Sequence, residues 1–154
     1  MRDIAREMEA IYRRVLVPVN GTAGDRRVLE ILGSVVQKQP VGITLIYVVE
    51  VPQSMPLDAE LPDEIEKGEA VLAEAEAFAR QRLAAKGDLL MTELLQARSA
   101  GAAIVDEAIE RNANAIVMAA TNRLKYGKIT MGETVVYVLR NAPCEVVVVR
   151  QALD

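Results

Sequence analysis

The 154-residue sequence contains no histidine and a single cysteine, Cys144. The first absence removes Ser-His and Cys-His nucleophile pairs, imidazole-bound zinc and the usual general base near neutral pH. The second excludes an internal disulfide and any CxxC site, and fits a reducing compartment. Aromatic residues make up only 3% of the chain and tryptophan is missing, so there is no stacking platform for single-stranded nucleic acid. A net charge of −4 disfavours nucleic acid as a partner as well. Long apolar runs are lacking too. The longest uncharged stretches, Gln39–Val49 and Asn112–Asn122, fall well short of the ~20 residues a spanning helix needs. A soluble, cytoplasmic protein with no direct membrane insertion is expected.

What remains is an aliphatic globular sequence, 51% hydrophobic and 26% charged. Its length suits one domain. Ile4, Met8, Ile11 and Tyr12 recur at helical spacing, so residues 1–13 read as an N-terminal amphipathic helix or linker, with residues 14–154 as the domain. Val15–Val19 is an unbroken apolar run, as expected of a strand buried on both faces. The turn-rich Asn20–Gly24 follows, and Asp25 is expected to cap a helix carrying Val28, Leu29, Leu32, Val35 and Val36. Ile43–Val49 is a second β-branched strand. The proline-bearing segment 50–62 reads as a long loop. Pro62 then opens a helix to about Ala85, with Leu72, Ala75, Phe78 or Ala79, and Leu83 facing inward. Further strands are expected at Leu90–Leu95, Ala115–Ala119 and Val146–Val149. Helices are expected from Ser99 to Arg111 and from Gly132 to Arg140, with a polar, basic loop over 121–128. This βαβαβαβαβ order implies an α/β fold, a parallel sheet with right-handed crossovers and helices on both faces.

In such sheets ligands bind beyond the carboxyl ends of the strands, where the winding direction reverses. Two loops are candidates, Asn20–Gly24 and Ala119–Gly132. Neither carries GxGxxG or GxxxxGK[ST], so the dinucleotide fingerprint and the P-loop are both missing. The second loop does end at a glycine opening a helix, where backbone N–H groups can hold an anion. No carboxylate pair supports acid/base catalysis. Cys144 reads as a small packed hydrophobe.

The chain resembles the universal stress protein family from Arg14 to Arg150. The resemblance rests on VLVPVNG at 15–21, Tyr47-Val48, GAAIV at 101–105, IVMA at 116–119, Gly132-Glu133-Thr134, and APCEVVVV at 142–149. It implies a single doubly wound five-stranded sheet in the order 3-2-1-4-5, of the adenine-nucleotide alpha-hydrolase-like kind. It also implies a homodimer, formed through the last strand at Val146–Val149, and an adenine nucleotide, ATP or AMP, as ligand. The positions this places at the ligand are Pro18, Val19, Asn20, Val48, Met118, Ala119, Asn122, Arg123, Gly132, Glu133 and Thr134.

ATP-binding members carry G-x2-G-x9-G-[ST] after the fourth strand; here that spacing reads Ala119-x2-Asn122-x9-Gly132-Glu133. The family's acidic residue after the first strand corresponds to Asn20. Asn122 is the mildest change, because Asn tolerates positive φ. Ala119 is expected to push a methyl toward the ligand, and Asn20 loses the double acceptor that suits a ribose diol. Glu133 places a carboxylate in the niche a phosphate needs. Arg123, Lys125 and Lys128 bring opposing positive charge. The motif is degenerate, and weak or no ATP binding is expected.

Residues 48–62, 95–101 and the Gly-Glu-Thr also resemble a subgroup of such domains fused to or associated with amino-acid permeases. These observations point to a non-enzymatic, homodimeric binding or regulatory module. The alternatives are a cytoplasmic regulatory domain of an amino-acid transporter, and a nucleotide-binding protein with slow ATP hydrolysis.

Overall fold

The computed structural model describes residues 13–36, 40–83, 89–120, 123–125, 128–130 and 132–151. The expected strands and helices form in the expected order. They are β1 (Arg14–Pro18), α1 (Ala23–Val36), β2 (Gly42–Glu50), α2 (Pro62–Arg82), β3 (Leu90–Ala97), α3 (Ala100–Glu110) and β4 (Ala115–Ala120). Two short strands, β5 (Arg123–Lys125) and β6 (Lys128–Thr130), come next, followed by α4 (Glu133–Asn141) and β7 (Glu145–Arg150). The main sheet is five-stranded and all parallel, in the order β3-β2-β1-β4-β7. In succession these are the third, second, first, fourth and fifth long strands, and the winding reverses between β1 and β4.

Alternate residues of each strand feed opposite faces, because strand side chains have a period of two. Val15, Val17, Ile43, Leu45, Val117 and Ala119 meet Val28, Leu29 and Leu32 of α1 and Leu72, Ala75 and Ala79 of α2. Leu16, Ile46, Ile116 and Met118 meet Ile104, Val105 and Ala108 of α3 and Val135 and Val138 of α4. The central β1 and β4 are therefore apolar without alternation, as their sequences indicate. Ser99 accepts a hydrogen bond from the Ala102 N–H and caps α3. Just beyond α3, Asn112 takes the left-handed conformation at φ 54°.

Several expectations are corrected. Residues 123–130 were expected within a loop, but Arg123–Lys125 and Lys128–Thr130 pair as antiparallel strands. A stretch this short carries too weak a period to separate strand from loop. Asp25 is not the cap residue: α1 begins two residues earlier, at Ala23. The N-terminal stripe at 4–12, the helix end at 84–87 and Asn122 lie outside the described residues.

Candidate functional site

The β1–α1 loop and the start of α4 lie at the carboxyl ends of β1 and β4, where the winding reverses. Val19 leaves β1 by donating its N–H to the Ile46 carbonyl at 2.9 Å. The chain then turns sharply at Gly21, whose φ of 84° suits glycine and whose hydrogen faces Val71. Asp25, in the first turn of α1, reaches back and accepts the Asn20 N–H at 3.1 Å and the Gly21 N–H at 2.8 Å. The Asn20 side-chain oxygen accepts both the Thr22 N–H at 3.0 Å and the Thr22 hydroxyl at 2.7 Å. The acceptor expected to face a ligand is thus already engaged within the loop.

Among the described residues, Asp25 is the one charged side chain that is buried, 7% exposed. Burial pushes its carboxyl above the ordinary value near 3.8, and the charge of Glu74 adds to the rise. The Gly21 and Asn20 N–H groups pull the other way. Sequence reasoning missed this role, although Thr22-Ala23-Gly24-Asp25 has the spacing of a capping box.

Gly24 sets the distance between α1 and β4. A Cβ at this position would stand 2.5 Å from the Ala119 Cβ. The Ala119 methyl therefore packs on α1, and the expectation that it would press on a ligand is corrected. Met118 and Val19 are buried in opposite core clusters, and Val48 is partly buried against the cluster that contains Met118. Pro18 ends β1, half-buried and paired with Ile46. Arg123 lies in β5.

Gly132 precedes α4 with φ 88°, and, its chain neighbours aside, none of the described residues lies within 4 Å of where its Cβ would be. This space stands in front of the helix N-terminus, where free backbone N–H groups favour an anion. Glu133, exposed on the first turn, supplies a negative charge there from the chain itself. Thr134 beside it is half-buried. Of the sequence-predicted positions, Gly132, Glu133 and Thr134 stand together at the start of α4 and Asn20 stands in the β1–α1 loop, whereas Val19, Met118 and Ala119 are buried in the core.

The model of the universal stress protein family matches residues 11–150. The chain belongs to the universal stress protein family. It is 26% identical over 157 residues to a universal stress protein of Methanocaldococcus jannaschii, covering 98% of this chain and 89% of that one. Among solved structures, a universal stress protein of Archaeoglobus fulgidus superposes with a TM-score of 0.72 at 22% identity, covering 89% of this chain and 98% of that one. An A. fulgidus universal stress protein solved in complex with dAMP gives 0.68 at 21% identity, covering 90% and 98%. A universal stress protein solved in complex with cAMP gives 0.64 at 18% identity, covering 92% and 98%. These structures share the fold of this universal stress protein. Among the described residues, no helix is long and apolar enough to cross a membrane.

A second ordered loop stands at the same edge of the sheet. Residues 51–61, between β2 and α2, are held from the end of β3 and just beyond it. The Arg98 Nη1 donates to the Pro52 and Met55 carbonyls, and Gln96 Nε2 donates to those of Leu57 and Ala59. Val51 and Leu61 anchor the loop from below in a small cluster with Val49. Cys144 packs partly buried against the α3/α4 face; burial raises its thiol pKa and the Glu145 charge adds, so the thiolate is disfavoured.

Proposed function

We propose that this universal stress protein is a non-enzymatic, homodimeric regulatory module of the cytoplasm whose crevice at the β1 and β4 carboxyl ends takes an adenine nucleotide weakly. The observation that carries this reading is Glu133 on the first turn of α4, directly after the open Gly132. A phosphate approaching those N–H groups meets the Glu133 carboxylate, and the two negative charges repel. The dAMP and cAMP complexes of structural relatives support an adenine nucleotide as the ligand class. The absence of histidine supports a role without chemistry of its own, and slow ATP hydrolysis is the less favoured reading.

Calorimetric titration with ATP, ADP and AMP tests it. The wild type is expected to bind ATP no more tightly than about millimolar, and Glu133→Ser to gain at least about tenfold, near 1.4 kcal/mol. Ala119→Gly adds little, because its methyl faces Gly24. An unchanged affinity in Glu133→Ser would show that the site lies elsewhere.

The dimer reading rests on β7. It is an edge strand of sequence Glu-Val-Val-Val-Val-Arg with half-buried valines. Antiparallel pairing with a second copy sets Glu145 opposite Arg150 at both ends and covers the edge; parallel pairing sets like charges together. Glu145→Arg is expected to weaken the dimer in sedimentation, and adding Arg150→Glu to restore it. A fully dimeric Glu145→Arg protein refutes this pairing.

A regulatory role beside an amino-acid transporter is the second reading. It is favoured by the contact between the two stretches that carry the subgroup resemblance: Gln96 and Arg98 hold loop 51–61. Immobilised protein should then retain an amino-acid permease from detergent-solubilised membranes; retention of none would count against it.

A further inference from the structure

Helix α4 leaves one flank uncovered. Its buried residues, Val135 and Val138, pack in the cluster formed with β4 and β7. Tyr137 lies against α3, where a Cβ on Gly101 would stand 2.9 Å from its side chain. Helical geometry then puts Val136 and Leu139 on the flank turned away from α3. Because α3 packs toward β2 and β3, that flank faces the free edge of β7. There Val136 is 36% and Leu139 47% exposed. Glu133, Val136 and Arg140 follow at i, i+3 and i+7, a stripe along the margin of the same flank, acidic at one end and basic at the other. Both charged ends are exposed, and among the described residues neither Glu133 nor Arg140 forms an ion pair.

The antiparallel β7 pairing proposed above fixes the position of a second α4. An edge strand paired antiparallel with its own copy has the two-fold axis normal to the sheet, so both α4 helices stand on the same face. Each sits over β4 and β7, and strands ~4.8 Å apart then place the two helix axes about 10 Å from each other. Helices pack at ~8–10 Å. With Glu145 opposite Arg150, the axis passes between Val147 and Val148, about 8 Å along β7 from Glu145. α4 runs back against β7 and ends at Asn141, joined to Glu145 by Ala142-Pro143-Cys144. Counting about 8 Å back from that end, at ~1.5 Å per residue, reaches Val136. Glu133 and Arg140 lie almost evenly to either side of this point.

We propose that α4 packs antiparallel on α4 of a second copy, with Val136 beside the two-fold axis and Glu133 of each copy facing Arg140 of the other. The flank is self-complementary, as a two-fold contact requires. Glu133 also stands at the open end of α4, so a second copy brings a cation to the crevice and the charge there is set across the dimer. This inference rests on the β7 pairing.

Sedimentation equilibrium of the full chain tests it. Arg140→Glu and Glu133→Arg should each weaken the dimer about tenfold, because every reversal acts on both sides of the axis. The double variant Glu133→Arg/Arg140→Glu should return to within about threefold of the wild type. Within one helix the two reversals both oppose the dipole, so an effect internal to α4 makes the double variant worse than either single one. Singles that dimerise like the wild type overturn the α4 pairing, as does a double variant weaker than both. In either case a dimer still weakened by Glu145→Arg keeps the β7 reading. A monomeric wild type overturns both.

Discussion

Two loops at the carboxyl edge of the sheet are pinned by charges of opposite sign. The β1–α1 loop turns N–H groups inward and is closed by a carboxylate, Asp25, from the helix it leads into. Loop 51–61 turns carbonyls inward and is closed by a guanidinium, Arg98, and an amide, Gln96, from beside the neighbouring strand. Backbone groups that leave a sheet need partners. Which end of the peptide unit faces in decides whether an acid or a base supplies them. The first solution is local, spanning five residues at most, and buries its charge. The second joins positions more than 35 residues apart and leaves its charge near water.

The largest way to break the contrast is through the seat of the first loop. Gly24→Ala drives a methyl into Ala119, and is expected to cost about 3 kcal/mol of stability in denaturant unfolding. Ala119→Gly should recover most of it in the double variant. Additive losses would show that the two positions do not share the contact.

Asp25→Ala comes next. It strands two loop N–H groups and should cost about 2 kcal/mol. Asp25→Asn sharpens the point through pH. The folded-state value is raised, so the contribution of Asp25 is fully present below the ordinary value near 3.8 and is lost as pH rises through the raised one. The stability of the wild type relative to Asp25→Asn should therefore fall from about pH 3 to pH 7. A difference that instead grows with pH would show that the N–H groups outweigh burial.

Arg98→Ala has the smallest global effect, about 1 kcal/mol, because its guanidinium is exposed. Its local effect is the informative one: amides at 51–59 should exchange faster while β2 and β3 keep their protection. Uniform loss across β2 and β3 would mean that the loop is part of the core.

Much of the fold was legible before any coordinates. The apolar runs at Val15–Val19 and Ala115–Ala119 mark strands covered on both faces, and the helices between them impose parallel pairing. Pro62 marked the start of α2. The site was legible in part. Glu133 could be placed on a helix N-terminus from sequence, since a glycine and an apolar stripe locate that end. The Asp25 clamp left only the faint Thr-x-x-Asp spacing, and the Arg98 clamp left none.

The sequence by itself determined the layered α/β architecture, the aliphatic core and the charges that stand near the crevice, because periodicity and composition are local properties of the chain. Only the tertiary structure decided where those groups point. The Ala119 methyl turns to Gly24, the Asn20 oxygen turns to Thr22, and Arg98 reaches the carbonyls of a distant loop. Each of these directions is set by packing between residues well separated along the chain or by competition for a backbone partner, and neither quantity can be read from one segment alone.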